Sequence, residues 1–169
     1  ASAFNTSKLL WLNQHYMIEK NPAELAMLLK PFLEKIGIKT ENTPEFDNFL
    51  TKAVESHVKR SETLVQLAEM IQYLFVDDIE MDEAAKAKQI TEASKPVLME
   101  LVRVLSTLDA WEPEVLDAAV KAVTVNLEVG MGKVGMPLRT AIVGRTNSPN
   151  LDETLFLVGK ERTLQRLEK

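Results

Sequence analysis

Cysteine is absent from the 169 residues, which excludes disulfides, thiolate metal sites and thiol nucleophiles and fits a reducing compartment. Long apolar runs are missing too. No stretch approaches the roughly 18 residues a membrane span needs, and no basic-then-apolar leader is present, so the cytoplasm is the expected compartment. Histidine is down to two residues, His15 and His57. They fall on different helical segments, and spacing nominates no acidic partners for a shared metal, so both read as structural. The first residues, Ala1-Ser-Ala-Phe4, lack an initiator methionine, and the chain is expected to be an excised fragment or a processed product.

What is present is a helical pattern with 46% hydrophobic residues, enough for a core. Asn5 or Thr6 can cap a first helix carrying Leu9, Leu12 and Tyr16, with Trp11 and His15 on the adjacent row, ending near Glu19. Asn21-Pro22-Ala-Glu24 opens a second helix with Leu25, Leu28, Leu29, Phe32, Leu33 and Ile36, closed by Gly37. Thr43-Pro44-Glu45 repeats that signal before Phe46, Phe49, Leu50, Ala53 and Val54. Ser61 is the expected cap of a fourth helix with Leu64, Leu67, Ala68, Ile71 and Leu74. Short joins between amphipathic helices imply an antiparallel bundle.

Residues 75–83, rich in acids, break the pattern and mark the expected domain junction. Helices resume over 84–90, over 95–108 and from Pro113. Residues 123–129 alternate apolar with polar, as a strand would. They are read as helical, because the pattern is continuous from Pro113 and no second strand offers a partner. The expected fold class is therefore all-α, in two small helical subdomains, 1–80 and 81–169.

Charge and glycine point to one place. Residues 1–120 hold 12 basic against 20 acidic residues, whereas residues 121–169 hold 8 against 5. Four of six glycines fall between Gly130 and Gly144, and no acidic residue lies between Glu128 and Asp152. A cationic island in an acidic chain suggests an anionic partner. Pro137 and Pro149 each suit the first turn of a short helix, and Gly144 and Gly159 suit C-terminal caps. On that reading Arg139 stands near a helix N-terminus, where free amides favour an anion. Ser148, Pro149 and Leu151 offer a hydroxyl, unpaired amides and an apolar rest for an unstacked base. The bland alternative is two solvated arginines, Arg139 and Arg145, beside ordinary caps.

Other motifs fare worse. Gly130-x-Gly132-x-x-Gly135, with Asp152 and Glu153 downstream, spells a dinucleotide fingerprint, but Pro137 and Gly144 leave no room for its crossover helix and second strand. Asp78-x-Glu80-x-Asp82 begins like a calcium loop, yet Glu83 replaces the needed glycine and Gln89 the bidentate glutamate. Ser56-His-Val-Lys59 has the spacing of acyl-serine enzymes without their accompanying elements and reads as a helix end. Trp11 and Trp111 read as core anchors rather than stacking platforms. No autonomous active site assembles from these residues.

Four segments carry a resemblance: Phe4-Asn-Thr-Ser-Lys8-Leu-Leu-Trp11-Leu-Asn-Gln-His15-Tyr16, Lys59-Arg60-Ser-Glu-Thr63-Leu64, Gly135-Met-Pro137-Leu138-Arg139-Thr-Ala-Ile-Val-Gly144 and Leu157-Val-Gly159-Lys160-Glu161-Arg162-Thr-Leu-Gln-Arg166-Leu167. In this order they resemble the C-terminal, anticodon-binding part of bacterial glutamyl-tRNA synthetases, class I enzymes. The resemblance implies two helical anticodon-binding subdomains, with residues 1–20 continuing out of a preceding stem-contact domain. It implies a non-catalytic chain without a cofactor of its own, whose parent ligates glutamate to tRNA with ATP and Mg2+ in a catalytic domain absent here. The implied partner is the anticodon loop of tRNA, with no DNA or membrane partner, for a monomer.

By the same resemblance, Arg60 approaches the first anticodon base, while Arg139, Ser148, Pro149 and Leu151 meet the second and third. Lys121 and Met136 join the set with departures: Lys121 stands where some relatives carry arginine, Met136 where some carry glutamine, and Ser148 where some carry threonine. Backbone contacts tolerate these changes; side-chain readout at Lys121 and Met136 departs from the pattern. The competing class is a helical protein-interaction module that binds no RNA and uses an exposed apolar patch.

Overall fold

A computed structural model describes the backbone of residues 6–168 and the side chains of residues 13–168. The expectations for Asn5 and for the side chains of Leu9, Trp11 and Leu12 lie outside that range. Among the described residues the structure is helical with no strand, as the periodicity predicts. The chain divides into two compact units, Ala1–Val76 and Asp77–Lys169.

The first unit contains α1 (Thr6–Glu19), α2 (Pro22–Lys35), α3 (Pro44–His57) and α4 (Leu64–Ile71), with single 3-10 turns at Val58–Arg60 and Gln72–Leu74. Both proline-led helices start as read: Asn21 Oδ1 accepts from the Ala23 amide at 2.9 Å, and Thr43 Oγ1 from the Phe46 amide at 3.2 Å, each cap satisfying an orphan donor. The cap of α4 is Thr63, not Ser61. Ser61 is buried one step earlier, and its hydroxyl donates to the Val58 carbonyl at 3.2 Å, which closes the preceding turn instead. On α1 it is Met17 that is buried, while Tyr16 is 62% exposed. The core is Leu25, Leu29, Leu33, Leu50, Ala53, Val54, Leu67 and Ile71, the three-and-four spacing of three helices meeting.

Two polar groups inside this unit are fully occupied. Lys30 is buried; its ammonium meets Asp47 Oδ1 at 2.6 Å and donates to the Glu41 carbonyl at 3.0 Å. It thereby ties the loop before α3 to α2. Replacing Lys30 by Met keeps the stem packed near Phe46 but strips the loop carbonyl and Asp47 of their donor. A loss of about 2 kcal/mol is expected in denaturant unfolding, because an acceptor left without its partner costs more than the pair contributed. The other group is His57, 0% exposed, whose Nδ1 lies 2.8 Å from the Ala53 carbonyl and Nε2 2.8 Å from the Tyr73 hydroxyl. A carbonyl only accepts, so Nδ1 carries the proton and Nε2 accepts from Tyr73. Burial, with the charge of Arg60 as a smaller contribution, lowers the pKa of His57 to about 4. The structural assignment of this histidine holds.

The second unit contains α5 (Glu83–Gln89), α6 (Lys95–Ser106), α7 (Pro113–Leu127), α8 (Met131–Val143), α9 (Leu151–Val158) and α10 (Lys160–Leu167). Residues 123–127 are helical, as continuity from Pro113 required, and Glu128 ends α7 in the left-handed region at φ 55°. Leu101, Leu105, Leu116, Val123, Val134, Leu138, Ile142 and Leu155 form its core.

Most of the glycine-rich island is a single helix, α8, with Pro137 at its seventh position rather than in the first turn of a short helix. Two internal glycines at about 1 kcal/mol each and a proline at about 3 oppose this helix. Val134, Leu138, Ile142 and Val143 are nearly or fully buried on it, and each contributes roughly 1.5–3 kcal/mol. Burial outweighs propensity. Pro149 also stands outside its helix: α9 begins at Leu151 with Asn150 as cap.

Candidate nucleic-acid interface

Moving the start of α8 to Met131 changes what Arg139 is. It sits in the second half of the helix, half-buried, where the amides are already bonded along the chain, so the helix-terminus argument for an anion at Arg139 does not hold. Arg139 instead lines a cavity of about 360 Å³ together with Met131, two turns earlier on the same helix. Asp117 and Val120 of α7 supply a second wall, and Asn150, Leu151 and Asp152 at the start of α9 supply the third. Asn150 caps α9 without a side-chain hydrogen bond, so the leading amides of α9 remain available beside the cavity.

Why α9 starts there is a matter of the turn before it. Ser148 is 3% exposed, and its hydroxyl donates to the Pro149 carbonyl at 3.1 Å. Thr154 Oγ1, itself fully buried, lies 3.1 Å from the same carbonyl and 3.4 Å from Ser148 Oγ. The Ser148 hydroxyl is therefore engaged inside the turn and Pro149 is buried with it, contrary to the expectation of a presented hydroxyl. Both residues hold the turn that aims Asn150, Leu151 and Asp152 at the cavity. Leu151 meets α8 at Gly135, where an added Cβ would stand 3.0 Å from Leu151 Cδ1. Glycine here allows a close helix-to-side-chain approach, which is the part of the dinucleotide spelling that has a structural purpose. With the fingerprint wound into α8, no phosphate cradle exists at Gly130 to Gly135.

The remaining predicted residues fall around this centre or away from it. Met136 is half-buried on α8, three residues before Arg139. Lys121 is exposed on α7, and its ammonium bonds Asp117 Oδ2 at 2.7 Å. That hydrogen bond and the Asp117 charge raise the Lys121 pKa, with Asp152 adding to it. Arg60 ends the 3-10 turn Val58–Arg60 in the first unit, exposed. The other residues of the set belong to the second unit.

The cation excess of this region is thinner than its composition. Lys160 Nζ donates to the Leu108 carbonyl and Arg166 Nη1 to the Ile142 carbonyl, each at 2.7 Å, positions where a cation complements helix-end carbonyls. Arg162 pairs with Asp77 at 3.4 Å. Lys133 and Arg145 are exposed near the two ends of α8. Asp117 and Asn150 are not marked by any motif in the sequence, and Asp152 is marked only as the acid downstream of the dinucleotide spelling; the signal for Asp117 is its four-residue spacing from Lys121 on one helical face. Trp111 is structural, its Nε1 donating to the Leu155 carbonyl at 2.8 Å. An apolar cavity of about 670 Å³ lies elsewhere in this unit, among Met81, Ile90, Leu98, Met99, Val102 and Leu167.

Among the described residues no cluster of three His, Cys, Asp or Glu side chains could hold a metal ion, and no helix is long and apolar enough to cross a membrane. Asp82, the last acid of the calcium-like run, accepts from the Ala85 amide at 3.2 Å and caps α5.

Residues 24–169 match the family model described as an anticodon binding domain. Two solved structures resemble the whole chain in fold. A glutamate tRNA ligase from Elizabethkingia meningosepticum superposes with a TM-score of 0.84 at 23% identity, covering 98% of this chain and 32% of that one. A glutamate-tRNA synthetase from Elizabethkingia anophelis does so at 0.78 and 23%, covering 98% and 31%. The chain spans about a third of each.

Proposed function

We propose, from the premise that the chain belongs to the anticodon-binding domain family, that it binds the anticodon loop of a tRNA and serves a glutamate–tRNA ligase. What supports the reading is one cavity at which Arg139, an aliphatic floor and uncapped amides converge. Unstacked bases are read by such combinations of donors with apolar surface. In this reading Arg139 and Leu151 meet a base directly, and Lys121 and Met136 flank it. Ser148 and Pro149 act by fixing the turn. Arg60 reads the first anticodon base from the other unit. The two units, divided near 80, are both anticodon-binding subdomains. The charging step, with ATP and Mg2+, belongs to a catalytic domain outside these residues, in a monomeric cytoplasmic enzyme.

Titrating the chain with an anticodon stem-loop tests this. Binding is expected to weaken with salt, with a slope of about 0.7 per phosphate neutralised on a single strand. Arg139→Gln is expected to weaken it by roughly tenfold or more, the cost of losing a charge-assisted contact. Arg60→Gln is expected to change preference at the first anticodon base with little change in stability. Should the native chain bind no stem-loop, the RNA reading fails. The protein-interaction module, for which the apolar cavity at Met99 is the available surface, would then be the surviving one.

A further inference from the structure

The apolar cavity of the second unit takes no part in anticodon reading. Its volume is about 670 Å³, and Ala141 and Leu167, both buried, form its floor. Ile90, Leu98 and Val102 are half-buried around it, and Met99 is 72% exposed. No uncharged polar side chain lines it, and the backbone groups of its helices are bonded along the chain. A peptide strand or a sugar laid there would lose the partners of its own donors and acceptors, which burial makes costly. A saturated hydrocarbon chain has none to lose, and the volume is typical of a small-ligand pocket.

Charge selects the other end of the guest. Among the lining cations Arg166 is buried and donates to the Ile142 carbonyl at 2.7 Å, which leaves two exposed lysines. Lys86 lies in the last turn of α5 and Lys95 opens α6. Only residues 90–94 join the two helices, so both ammonium groups stand at one end of the cavity. The pair of Lys95 with Glu92, at 2.9 Å, is on the surface and is worth little against a competing carboxylate. Glu168 is the single acid of the lining. Leu98, Met99 and Val102 lead away from the lysines, reaching roughly 10 Å beyond Lys95 along α6.

We propose that this cavity binds a straight-chain alkyl carboxylate, its chain lying along α6 over Ala141 and Leu167 and its carboxylate at Lys86 and Lys95. The site uses none of the residues assigned to tRNA and stands or falls separately from that reading.

The experiment is a methyl NMR titration of the chain with octanoate, decanoate and dodecanoate below their micelle concentrations, with decanol as the neutral counterpart. Saturable shifts of the Met81 and Met99 methyl resonances are expected, with affinity rising roughly tenfold from octanoate to decanoate, the effect of two further buried methylenes. Lys86→Gln is expected to weaken decanoate several-fold and decanol little. Lys88→Gln removes the same charge from α5 outside the cavity lining and is expected to bind as the native chain does. Met99→Glu, at an exposed position, sets a charge in the path of the alkyl chain and is expected to weaken decanoate by roughly tenfold or more. Absence of saturation with all three acids overturns the proposal. So does a decanoate affinity that Lys86→Gln and Met99→Glu both leave at the native value, or that Lys88→Gln lowers as much as Lys86→Gln.

Discussion

Gly144→Ala is expected to destabilise the second unit by on the order of 4 kcal/mol, the sum of two costs that other glycines separate. Gly144 closes α8 at φ 92°. An L-residue there costs roughly 1–2 kcal/mol for the left-handed conformation alone. A Cβ would also stand 2.1 Å from the Glu80 carbonyl oxygen and 3.2 Å from its carbon. Neither backbone can absorb that overlap, because the Asp82 amide donates to the Gly144 carbonyl at 2.7 Å. Asp82 in turn caps α5. The segment before α5 has to detach for the methyl to enter.

Gly37 supplies the comparison. It has φ 89° with no atom within 4 Å of an added Cβ, so Gly37→Ala carries the conformational cost without the clash. Denaturant unfolding of both variants, with amide exchange over residues 77–86, measures the difference. Equal losses for the two alanines would show that Glu80 does not hold this approach.

The second large effect is a pH dependence. His57 is neutral in the folded state because burial lowers its pKa from 6.5 to about 4. Between those values the unfolded chain binds a proton that the folded chain does not, so stability rises with pH. The contribution is fully present above about pH 6.5 and is lost as pH falls toward about 4. One such group changes stability by about 1.4 kcal/mol per pH unit, or about 3 kcal/mol across the window. His57→Gln keeps a donor toward Ala53 and an acceptor toward Tyr73 but cannot titrate. It is expected to lower stability at neutral pH by about 1 kcal/mol and to flatten the curve between pH 4 and 6.5. Parallel curves for the two proteins would mean that acid sensitivity resides in other groups.

The two effects differ in how far they can be read without coordinates. A glycine at the end of an apolar helical run announces a left-handed cap, and Gly144, Gly159 and Gly37 all have positive φ. Nothing local announces that Glu80, more than sixty residues earlier, presses its carbonyl against one of them. His57 lies on the apolar row of α3, which suggests a core position. Its tautomer needs Tyr73 and Ala53 in place.

The candidate interface divides similarly. Arg139 and Leu151 are legible from type and spacing, and the structure brings them to one cavity. Ser148 looks like a presented hydroxyl because a Ser-Pro pair ahead of a helix usually exposes its cap; here Thr154 and the Pro149 carbonyl take it into the interior. Asp152 stands out in the sequence only beside the dinucleotide spelling, and only the approach of α9 to α8 and α7 places it on the cavity that Arg139 lines.

By itself the sequence determined that this chain is helical, where most helices begin and end, and which residue types could meet RNA, and it placed a junction in the acidic run 75–83. These are consequences of hydrophobic period, capping chemistry and proline or glycine placement, all of which act over a few residues. Tertiary structure alone decided that Gly132, Gly135 and Pro137 lie inside a helix. Local propensity opposes that outcome, and only the core against which Val134, Leu138 and Ile142 pack is worth enough to reverse it. It also decided which cations remain for a ligand, since Lys160 and Arg166 complete helix ends supplied by distant parts of the chain.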